Sequence, residues 1–119
     1  MIYSSKDPAP VEEVEDMLYW YQFTIEDIKM NCEIRNIKKA HFIARTVARH
    51  IRQEYKMHNR KDVFLSHHED TLFLAYARAI SELKHLLPLI PRKNNLVFFC
   101  DRALEAIAQV QLFITTYVK

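Results

Sequence analysis

The chain contains no glycine in 119 residues, where average usage of about 7% would supply roughly eight. Glycine tolerates left-handed backbone at tight turns and lets a loop close around phosphate. Its absence excludes Gly-rich nucleotide loops, nucleophile elbows and dinucleotide fingerprints. It also argues against tight β-hairpins. Proline is scarce at four residues, which leaves room for long uninterrupted helices. Two cysteines, Cys32 and Cys100, make neither a disulfide framework nor a zinc motif. They read as thiols brought near the same end of a helical bundle. No apolar run approaches the roughly 18 residues of a membrane span; the longest, Leu86–Ile90, is interrupted by Pro88. The first residues lack the basic-then-apolar order of a signal peptide. No membrane contact and a cytoplasmic location are therefore expected.

Half of the residues are apolar and 27% are charged, a balance that fits one globular domain. Val14, Leu18, Tyr21, Ile25, Ile28 and Cys32 recur at helical spacing behind an acidic start at Glu12 and Glu13,. A second stripe runs Ile34, Ile37, His41, Ala44, Ala48, Ile51 and Tyr55. The step from Cys32 to Ile34 displaces the apolar face by roughly 100°. Either the chain turns between Asn31 and Asn36, or one first helix of about 48 residues changes partners midway. The turn is the preferred reading, because asparagine tolerates turn geometry. Ser66 to Glu69 reads as a capping box,, ahead of a stripe at Leu72, Tyr76, Ala79, Leu83 and Leu86. Pro88 and Pro91 stop that helix, and Leu96, Phe99, Ala103, Ala106, Val110, Phe113 and Tyr117 form the last stripe.

The expected architecture is all-α. It is an up-and-down antiparallel four-helix bundle with helices at about 10–32, 35–57, 66–87 and 95–118, and a loosely held arm at 1–9,. The alternative is three helices, the first spanning both early segments.

Charge is segregated along the chain. Residues 12–33 carry seven acids and one base, whereas 35–61 carry nine bases and one acid, Glu54. Lys38, Arg45, Arg49, Arg52 and Lys56 fall within about 60° of one another on a helical wheel. Over about 1.5 Å per residue they make a ridge more than roughly 25 Å long. One reading is phosphate contact with nucleic acid. The other is pairing with the acidic first helix, in the same chain or in a partner, or plain solvation.

Arg35-Asn36-Ile37-Lys38-Lys39-Ala40-His41 has the form R-N-x4-H and resembles the motif of the HEPN ribonucleases. Those are all-α domains in which Arg and His from two protomers cut RNA without metal. The resemblance implies that Arg35 stabilises phosphate charge, that His41 acts as acid or base, and that Asn36 holds the site. Histidine suits proton transfer because it titrates near neutrality.

Metal chemistry is poorly supported. Glu82 and His85 form a lone E-x-x-H, whereas a di-iron bundle needs two such motifs and two further inward glutamates. His58, His67 and His68 suit adventitious metal only. His41-Phe42-Ile43-Ala44 lacks the lysine and glycine that follow a phosphoacceptor histidine. No cofactor and no resident metal are expected. Trp20 and Phe98 stand outside the stripes, and exposed aromatics point to an interface. The leading functional expectation is a non-catalytic interaction module that forms a homodimer or meets another protein. The alternative is a nucleic-acid-binding bundle, with a HEPN-like ribonuclease as its enzymatic form.

Overall fold

The computed structural model describes residues 11–60 and 70–118. The expected arm at 1–9 and the capping box at Ser66–Glu69 lie outside them, as do His67 and His68. Among the described residues four α-helices form: α1 (Val11–Glu33), α2 (Ile37–His58), α3 (Thr71–Leu86) and α4 (Leu96–Phe113). A wider π-type turn continues α4 over Ile114–Val118. Each helix packs on its chain neighbours, and α4 closes the ring on α1. The result is an up-and-down four-helix bundle.

The core is filled by the stripes that helical spacing demands. Val14, Leu18, Tyr21, Ile25 and Ile28 line α1; Phe73, Tyr76, Ile80 and Leu83 line α3; Leu96, Phe99, Ala103 and Val110 line α4. On α2 the buried set is Ala40, Ala44, Val47, Ala48 and Ile51. Small alanines at that spacing allow α2 to approach its neighbours closely.

The chain turns between α1 and α2, so a single first helix of about 48 residues does not form. The turn is a Schellman motif made without glycine. Asn36 N donates to Asn31 O at 2.8 Å, and Arg35 N donates to Cys32 O at 3.1 Å, the paired 6→1 and 5→2 bonds of that cap. Arg35 occupies the left-handed position at φ 63°. Ile34 is 65% exposed, because it belongs to the turn and not to the apolar stripe of α2. That stripe runs instead from Ala40 and includes two polar side chains, Glu54 and His58.

α3 begins at Thr71 behind Asp70, whose Oδ1 accepts from Leu72 N at 3.0 Å and Phe73 N at 3.2 Å. Asp70 has extended backbone, so α3 does not run unbroken from Ser66, where the sequence expectation had placed its start. Pro88 and Pro91 follow the end of α3 at Leu86, and two short 3-10 turns, Leu87–Leu89 and Lys93–Asn95, carry the chain into α4.

Candidate functional site

The ridge on α2 is fully presented to solvent: Lys38, Arg45, Arg49, Arg52 and Lys56 are all exposed. Among the described residues none of the five pairs with a carboxylate; ion pairs lie elsewhere, as at Lys29–Asp101, Arg78–Glu82 and Arg102–Glu105. Arg49 makes only a 3.4 Å contact to Thr46 Oγ1 on its own helix. Among the described residues no ion pair joins the ridge to the acidic first helix. Phe42 stands on the same face, 63% exposed. Arg45, Arg49 and Arg52 rim a cleft of about 400 Å³ whose apolar wall is Phe42, Ala48, Leu87, Ile90 and Pro91. The proline-terminated end of α3 therefore supplies one side of the cleft and α2 the other.

Arg35, Asn36 and His41 line one open concavity at the α1–α2 turn, together with Ile37, Lys38 and Arg45. Asn36 is the N-cap residue of α2, but its side chain makes no capping bond. His41 is half-buried. Among the described residues no hydrogen bond joins the three side chains. The concavity is cationic and continuous with the ridge through Lys38 and Arg45.

A third arrangement was not legible in the sequence. Glu54 and His58 are buried at the C-terminal end of α2, near Tyr21 of α1 and Tyr76 of α3. His58 Nδ1 lies 2.7 Å from the Glu54 carbonyl oxygen. A carbonyl only accepts, so Nδ1 carries the hydrogen. The Glu54 carboxylate is 3.5 Å from the same nitrogen. The imidazole stacks 5.4 Å from the Phe73 ring and lies 5.0 Å from that of Tyr76. Burial pushes the Glu54 carboxyl above the usual carboxylate range. Burial, and then the Glu54 charge, push the Tyr21 phenol upward. Only the i, i+4 spacing of Glu54 and His58 hinted at this cluster, and that spacing is equally common on solvated faces.

Lys29 meets Asp101 at 2.9 Å and ties the end of α1 to the start of α4. Cys32 and Cys100 belong to that same end, and both are free thiols. Burial pushes Cys100 up to about 12, with the neighbouring Cys32 as the next cause. Burial likewise raises Cys32. Neither thiol is placed to act as a nucleophile. On α3, Glu82 and His85 are both exposed, and His85 Nδ1 donates to Ser81 O on its own helix. Among the described residues no three His, Cys, Asp or Glu side chains converge on a metal position.

The outer face of α1 has its own pattern. Glu12, Asp16, Tyr19, Phe23, Glu26, Met30 and Glu33 are all exposed and recur at steps of four and three. Tyr19 and Phe23 are 57% and 61% exposed and lie with ring centroids 4.9 Å apart. Trp20 is instead held half-buried against His50 of α2 at 4.4 Å. Phe98 is exposed beneath Arg102, which sits 5.1 Å above its ring. No helix among the described residues is long and apolar enough to cross a membrane. No protein-family model, no curated protein and no solved structure matches this chain.

Proposed function

We propose that this chain is a non-catalytic interaction module that self-associates, as a homodimer or larger assembly. The observation that carries the reading is the outer face of α1, where the Tyr19 and Phe23 rings lie together in solvent with Met30 one turn beyond Glu26. Aromatic and methionine side chains are enriched at the centres of protein interfaces. Leaving such a row in water opposite a complete core is costly unless a partner covers it. Sedimentation velocity across a concentration series tests the reading. The expected result is a mass above the 14.2 kDa of one chain; a monomer throughout would reject it.

A second reading is supported by the unpaired cationic ridge. Phosphates of a nucleic acid would neutralise Lys38, Arg45, Arg49, Arg52 and Lys56, and affinity would fall steeply with salt. In its enzymatic form, Arg35, Asn36 and His41 would act as a HEPN-like site, completed by a second protomer and working without metal. Anisotropy of labelled single-stranded RNA at two salt concentrations, followed by a denaturing gel, tests both forms. Binding lost on Arg49→Glu with Arg52→Glu would favour the ridge. Cleavage in EDTA that stops in His41→Ala would favour the enzyme.

A further inference from the structure

We infer that the cleft between α2 and the end of α3 receives the outer face of α1 from a second copy of this chain. The inference rests on the self-association reading and names the two surfaces that meet. Each is incomplete alone, and each offers what the other lacks. The cleft has an apolar wall at Phe42, Leu87, Ile90 and Pro91 beneath three guanidinium groups. The α1 face sets Tyr19, Phe23 and Met30 between the carboxylates of Asp16, Glu26 and Glu33. Aromatic rings at i and i+4 can enter a groove while flanking acids meet its cationic rim, the usual pattern of a helix seated in a groove. Arginine stacks on aromatic faces as well as pairing with carboxylates, so Arg45, Arg49 and Arg52 suit both halves of that row.

The dimensions agree. Tyr19 to Met30 spans about 17 Å of helix, and Phe42 to Arg52, the stretch of α2 that lines the cleft, about 15 Å, at 1.5 Å per residue,. One copy cannot close its own α1 face onto its own cleft. α1 meets α2 through Trp20 on His50, and meets α4 through Lys29–Asp101 and Gln22–Gln111. Its exposed row points away from the core, and the cleft opens on the far side of α2, against α3. The two surfaces therefore meet only between molecules, the cleft of one copy against α1 of another.

A mixing experiment decides it. The variant Tyr19→Ser with Phe23→Ser removes the apolar anchors of α1 and keeps the cleft. The variant Arg45→Glu with Arg49→Glu turns the cleft acidic and keeps α1. All four positions are exposed, and circular dichroism verifies that each variant stays helical; Phe23→Ala and Arg49→Ala form a milder second pair. The wild type should self-associate as its concentration rises and dissociate as salt screens the rim. Each variant alone should sediment as a monomer. Their equimolar mixture should recover a two-chain species and nothing larger, because only one intact cleft and one intact α1 face remain. A wild type that self-associates while the variants do so undiminished, or a mixture that stays monomeric, overturns this pairing and leaves self-association standing through another face. A wild type that is monomeric at every concentration overturns both, and Arg49-dependent binding of labelled RNA by that monomer would assign the cleft to nucleic acid instead.

Discussion

Arg35 holds the one positive φ among the described residues, at the helix C-terminal position that glycine ordinarily takes. A side chain with a Cβ pays roughly 1–2 kcal/mol for left-handed backbone. Glycine would remove that strain but would lose about 0.5–1 kcal/mol through the greater freedom of the unfolded chain. The balance favours Arg35→Gly by about 0.5–1 kcal/mol, read as a melting temperature about 2–5 °C higher. An unchanged or lower value would mean that the guanidinium makes a compensating contact. Glu54 offers a second test. Its carboxyl is raised by burial, so the folded state binds its proton more tightly than the unfolded chain does. The stability this contributes is complete below the ordinary carboxylate range and is lost as pH climbs through the raised value. Glu54→Gln cannot ionise, yet it keeps an acceptor toward His58. Thermal melts should find the variant equal to wild type near pH 4 and progressively more stable than it toward pH 8. A variant that melts lower at pH 8 would show that its neighbours hold the carboxylate charged.

At the scale of the helix, the start of α3 depends on Asp70. Its carboxylate takes two of the N–H groups that no helical carbonyl can reach,. Asp70→Ala should cost about 1 kcal/mol, with denaturant midpoints as the readout, whereas Asp70→Asn should cost little because asparagine caps as well. This cap also marks where the sequence was hard to read. Ser66 with Glu69 fits the capping-box pattern but lies outside the described residues, and Asp70, which caps α3, went unnoticed beside it. The phase jump at Cys32 was legible, but it fitted either a turn or one long helix that changes partners, and the structure has the turn. The residue that would make the cap there was not legible, since arginine carries no preference for left-handed backbone. On α2 the apolar phase was read up to one position late: His41 and Tyr55 stand at the edge of a stripe whose buried members are Ala40 and Glu54. Two polar residues, Glu54 and His58, occupy core positions near its end, and a hydrophobic pattern cannot find buried polar groups. The basic face survived intact because it depends only on spacing along α2 and not on the exact edge of the apolar stripe. Arg35, Asn36 and His41 could be grouped for the same reason: one turn and the helix that follows it bring them together.

At the scale of the whole molecule, the distribution of charge is a stability question as well as a binding one. Lys38, Arg45, Arg49, Arg52 and Lys56 stand three, four or seven residues apart on one helix without a described carboxylate beside them. Like charges at i, i+3 and i, i+4 repel by a few tenths of a kcal/mol each. A ridge of this kind therefore lowers the stability of the isolated chain and gives nothing back within it. Reversing two of its members should relieve the strain. Arg49→Glu with Arg52→Glu places acids one turn from Arg45 and Lys56 and turns two of the three repulsions into attractive pairs, leaving one like-charge pair between positions 49 and 52. The melting temperature should stay level or rise slightly at low ionic strength, and the gain should shrink in high salt as the pairs are screened. Were the ridge a structural counterpart of the acidic α1, the same reversal would destabilise the fold. Measured beside the mixing experiment, it separates a surface kept for a partner from one kept for the fold: assembly lost while stability is unharmed assigns the ridge to a second molecule.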